Sequence, residues 1–141
     1  MHDVGKLVVA TILLEAERQI TEIRNAAWID HAEWLVVIKR THQKVGMELA
    51  EKWHLPETTA RCVRSCTEYD SADRTSPVNP VCLANALIKQ VGVCLDAPDL
   101  DEAKALVMIG RSLMGVTDDV LGALMGNIKE RVSGLYEGKA N

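Results

Sequence analysis

Cys62 and Cys66 stand four residues apart, a spacing that puts two thiols on one helical face and is a possible start for a zinc site. The paired Cys-x-x-Cys knuckles of structural zinc are absent, and Cys82 and Cys94 complete no recognised spacing. All four are therefore read as reduced thiols acting as small hydrophobic groups. His54 follows Trp53 at an expected helix end, where a cation favours the negative pole of the helix dipole. Asp96, Asp99, Asp101 and Glu102 read as a solvated helix start. No Ser-His-Asp elbow is present. The segment Gly110-Arg111-Ser112-Leu113-Met114-Gly115 lacks the Lys-Ser/Thr placement with which a glycine-rich loop cradles phosphate. Nucleophilic catalysis has no candidate here.

These groups sit in a chain of 141 residues with 48% hydrophobic and 26% charged side chains, the balance of one ordinary folded domain. Sixteen Lys+Arg against twenty Asp+Glu give 16 − 20 = −4, so the basic surface a nucleic-acid binder turns toward phosphates is missing. The longest strongly apolar run, Leu7 to Leu14, is far short of the roughly 20 residues of a membrane span. Asp3 occupies the basic-leader position of a signal peptide, and no small-residue cleavage site follows before Glu15. A cytoplasmic protein with no nucleic-acid or membrane partner is expected.

Apolar residues recur at helical steps throughout, so the expected fold is all-α, with six to seven helices. Leu7, Val8, Ile12, Ala16, Ile20 and Ile23 mark a first helix over about 4–26. A second spans Trp28 to Ile38 with Asp30 as a plausible N-cap, and Thr41 caps a third running to Trp53, which places His42 in an exposed first turn. Pro56 opens a fourth, to about Glu68. Tyr69 to Asn79 reads as a loop, Pro80 to Leu95 as a fifth helix, and Asp99 caps a sixth to Met114. Thr117 caps the last, with Asp118 and Asp119 in its first turn, a buried stripe of Leu121, Leu124, Met125, Ile128 and Val132, and a fraying tail after Gly134. Trp28, Trp34 and Trp53 are expected as core anchors.

Five segments carry a resemblance to a known family. His2-Asp3-Val4-Gly5-Lys6-Leu7 resembles the His-Asp segment of the HD superfamily of metal-dependent phosphohydrolases. Forty residues on (42 − 2), Thr41-His42-Gln43-Lys44-Val45-Gly46, then Leu49-Ala50, Trp53 and Leu55-Pro56-Glu57, resemble the signature of HDOD domains, the HD-related output domains of bacterial signalling proteins. Asp30-His31-Ala32-Glu33 imitates the opening of that second segment but lacks its Gly, Trp and Leu-Pro. Cys62 to Thr67, Leu83 to Leu87 and Met114 to Asp119 fall where the family has its Ile-Arg-x-His-His, Leu-Ala-Asp and Leu-Gly-Val-Ser stretches. The similarity spans about the whole chain, 1–141, as the C-terminal part of a full family domain.

The resemblance implies a helical HD/HDOD-like bundle whose metal centre uses an upstream His, the His-Asp pair and a later Asp. Here the upstream His has no counterpart, the later Asp position reads Asn85, and the family's extra His positions read Ser65, Cys66 and Thr67. Only His2, Asp3 and His42 remain as remnant metal candidates. Asn for Asp removes an anionic donor that a catalytic cation needs. The expectation is therefore a non-catalytic signalling module that acts by protein association, with no cofactor. One alternative is a metal-dependent phosphohydrolase completed across a dimer, with Asp30 or Glu33 as reserve carboxylates and a divalent metal as cofactor. The other is a structural adaptor. The first helix carries too many apolar groups for one narrow stripe, so a homodimer is expected.

Overall fold

The computed structural model describes residues 2–24, 30–94 and 97–137, and among them every regular element is helical. The order is α1 Val4–Arg24, α2 His31–Lys52, α3 Glu57–Arg64, α4 Val78–Gln90, α5 Leu100–Met114 and α6 Asp118–Glu137. The chain divides into two compact units, 1–66 with α1 to α3 and 67–141 with α4 to α6.

In the first unit α1 packs along α2. Val9, Leu13, Trp34 and Ile38 form the buried core, with Ala10, Val37 and Val45 against it. Asp30 caps α2 as expected, its side chain accepting from the Ala32 N–H. The predicted break before Thr41 does not occur. The Thr41 hydroxyl instead donates back to the Val37 carbonyl at 2.7 Å, satisfying itself within the helix, so the two expected helices are one. His42 consequently stands in mid-helix, half-buried, rather than in an exposed first turn. Trp34 is a core anchor at 8% exposure, whereas Trp53, at 53%, is not. Trp53 is the last residue before the chain turns away, and the turn carries it clear of the core. Trp28 lies outside the described residues.

That turn ends α2. His54 takes φ 50°, its N–H donates to the Glu51 carbonyl, and the Leu55 N–H reaches the Ala50 carbonyl. This is the paired closure that usually places glycine at the left-handed position, because a Cβ there crowds the following carbonyl. His54 therefore bears a strain the sequence reading did not see, beyond its expected place at the helix end. His54→Gly should stabilise the first unit by about 0.5–1 kcal/mol, read as a higher urea midpoint by tryptophan fluorescence, since all three tryptophans lie in residues 1–66. An unchanged or lower midpoint would contradict it.

α3 follows with Pro56 at its N-cap position, and ends at Arg64 rather than Glu68. Ala60 and Val63 are its buried residues.

In the second unit α4 packs on α5 through Leu83, Ala86, Leu87 and Val107. α4 starts two residues earlier than expected, at Val78, with Pro80 accommodated in its first turn. It stops at Gln90, because Gly92 at φ 81° closes it by accepting the left-handed turn, with Gly92 and Val93 N–H groups bonded to the Lys89 and Ile88 carbonyls. Leu95 and Asp96 lie outside the described residues. Asp99 caps α5 through the N–H groups of Asp101 and Glu102, and these acidic residues are solvated as expected. The buried stripe of α6 is narrower than predicted. Leu121, Met125 and Ile128 pack on the core, Val132 is half-buried, and Leu124 is exposed. The helix runs on through Glu137.

The loop between Tyr69 and α4 is wound around its own side chains. Fully buried Asn79 accepts from the Asp70 N–H at 2.8 Å and donates to the carbonyls of Asp70 and Asp73. Asp70 and Asp73 carboxylates take the N–H groups of Asp73 and Thr75. Burial pushes the Tyr69 phenol up to about 12, with the charge of Cys82 adding to it, so its hydroxyl keeps its proton and donates to the Leu106 carbonyl. The thiols are mixed in their surroundings: Cys66 and Cys82 are buried as expected, Cys62 is half-buried, and Cys94 is exposed because it follows the Gly92 turn.

Candidate functional site

The remnant metal candidates all lie in the first unit, at the start of α1 and the middle of α2. Asp3 immediately precedes α1. Its carboxylate is within 2.8 Å of the Lys6 ammonium and 3.2 Å of His2 Nε2. Burial by itself raises the Asp3 carboxyl. The close approach of the His2 ring and the Lys6 ammonium outweighs that and holds it well below the usual carboxylate range, although buried His2 Nε2 is not aligned for a full hydrogen bond. Both oxygens thus serve a local ion-pair cluster at the positive end of the helix.

His42 Nδ1 lies 2.9 Å from the carbonyls of Ile38 and Lys39. Carbonyls only accept, so Nδ1 carries the proton and the lone pair rests on Nε2. The backbone of the same residue does more. A Cβ built at Gly5 would fall 1.8 Å from the His42 carbonyl oxygen and 2.9 Å from the Gly46 nitrogen. The Gly5 and Gly46 backbones are therefore the point of closest approach of α1 and α2, and buried Val63 of α3 seals the other side of Gly46. The two glycines of the family signature hold three helices together. The sequence reading recorded them as motif positions and missed that role. An isolated glycine in an otherwise helical pattern was the available signal.

Neighbouring signature residues are likewise engaged in structure. The Gln43 amide donates to the Arg64 carbonyl at the end of α3. Asp30 is the α2 cap and Glu33 an exposed first-turn residue, which places the reserve carboxylates at the far end of α2 from His42. Ser65 is half-buried and Cys66 buried just beyond α3. In the second unit Thr67 is exposed and Asn85 stands half-buried on α4. The Met114 to Asp119 segment makes a turn, with Gly115 at φ 67°, a long Thr117 hydroxyl contact to the Val120 N–H, and a bidentate Arg111–Asp118 pair that ties α5 to α6.

A divalent cation of the kind the HD superfamily uses requires several free nitrogen and oxygen donors, with carboxylates to balance its charge. Among the described residues no group of three or more His, Cys, Asp or Glu is placed to hold one. The Lys6 ammonium stands against Asp3, the carboxylate beside His2. The residues present do not fit the metal.

A groove of about 550 Å³ opens between α2 and α3, lined among others by Lys44, Met47, Glu48, Glu51, Leu55 and Arg64. Its charges are of both signs and no cluster of one sign faces it. Among the described residues no helix is long and apolar enough to cross a membrane.

No curated protein and no solved structure matches the chain significantly. A family model does: that of the HDOD domain, over residues 1–69. The matched stretch contains both the His2-Asp3 segment and the His42 to Glu57 segment, and it covers α1, α2 and α3. The likeness to the HDOD domain family therefore rests on residues 1–69, just under half of the chain.

Proposed function

We propose that this protein is a non-catalytic HDOD module of bacterial signalling, acting by association with protein, itself included as a homodimer. One observation carries the reading: the signature residues are committed to packing. Asp3 is paired with Lys6, and the bare backbones of Gly5 and Gly46 set the approach of α1 to α2, while of His42 only Nδ1 is taken up by its own helix. A hydrolytic centre keeps its donors free and converging on one point. Among the described residues these donors do not converge with a third His, Cys, Asp or Glu, which supports a reading without hydrolysis.

The test is thermal. Protein purified without chelator should carry no stoichiometric Mn, Fe, Ni or Zn by elemental analysis, and its Tm should not move when those ions are added. A ligand at a hundred times its Kd stabilises a fold by about 2.7 kcal/mol, so a working site would shift Tm by several degrees. A metal-dependent rise in Tm that disappears in His2→Ala or His42→Ala would overturn the proposal in favour of a metallohydrolase completed between chains.

A further inference from the structure

We draw no further inference here: the strongest candidate, the groove between α2 and α3 where Met47, Leu55 and Ala60 lie among Lys44, Glu48, Glu51 and Arg64, carries nothing, because its charges are of both signs and nothing in the structure shows what covers it.

Discussion

Gly5→Ala should destabilise the first unit by about 3 kcal/mol, at the upper end of what overpacking costs. The added methyl would sit 1.8 Å from the His42 carbonyl oxygen and 2.8 Å from its carbon. Both are backbone atoms of α2 and have no rotamer by which to escape. Relief requires α1 to withdraw by more than 1 Å, since carbon and oxygen settle at about 3.3–3.6 Å even in their closest favourable contacts. Withdrawal loosens Val9 and Leu13 from Trp34 and Ile38, and the lost dispersion contacts add to the cost. Opposing this, alanine is about 1 kcal/mol better than glycine in a helix interior, so the clash must exceed the net loss by that amount. Gly126→Ala supplies the control. Its position on α6 is exposed, with no neighbouring atom within 4 Å of the added carbon. There the same substitution should stabilise by up to about 1 kcal/mol. Urea unfolding followed by tryptophan fluorescence reports the first unit, and circular dichroism reports both. A Gly5→Ala protein with the wild-type midpoint would refute the close crossing.

Asn79→Asp should destabilise the second unit by about 3 kcal/mol at neutral pH, because it buries a charge facing acceptors. The shape is conserved and the Asp70 N–H keeps its acceptor. What changes is the amide nitrogen, which now donates to the Asp70 and Asp73 carbonyls and would become an oxygen pointed at both. With no exposed surface at this position, water cannot intervene. Burial and carbonyl dipoles both disfavour the anion, so the introduced carboxyl should titrate above its unfolded value of about 3.9. The sign follows from linkage. The folded state then binds its proton at higher pH than the unfolded state, so the variant's deficit is full above the folded pKa and shrinks as pH falls through it toward 3.9. Asn79→Ala removes the three bonds without adding charge and should show a loss of about 2 kcal/mol that no titration of this position modulates. Denaturant midpoints from pH 4 to 8, and hydrogen exchange at the Asp70 amide, separate the two. Equal deficits for Asn79→Asp at both ends of that range would exclude the buried-anion account.

These two positions also mark where local pattern stops informing. The helical period of Leu7 to Ile23, the Asp30 and Asp99 caps and the loop after Tyr69, though two residues shorter than predicted, were legible, because each depends on residues a few places apart. The resemblance in His2 to Lys6 and His42 to Glu57 was legible for the same reason, and the family match over 1–69 bears it out. The predicted division at Thr41 failed on a local ambiguity. A threonine hydroxyl that serves as an N-cap serves equally to bond back to the preceding turn, and only the continuous packing of α2 beneath α1 selects between them.

The order of residues in this chain therefore determined the all-helical character of the described residues, the boundaries set by Asp30, Pro56 and Asp99, and the HDOD likeness of residues 1–69. Folding decided what the signature residues do. Gly5 and Gly46 are far apart in sequence, and no periodicity relates them, yet their missing side chains let two backbones meet. Asp3, a ligand by motif, becomes the partner of Lys6. The physical reason is range: helix formation and capping are settled within a turn or two of backbone, whereas steric fit between helices and the occupancy of a carboxylate depend on whatever the rest of the chain brings alongside.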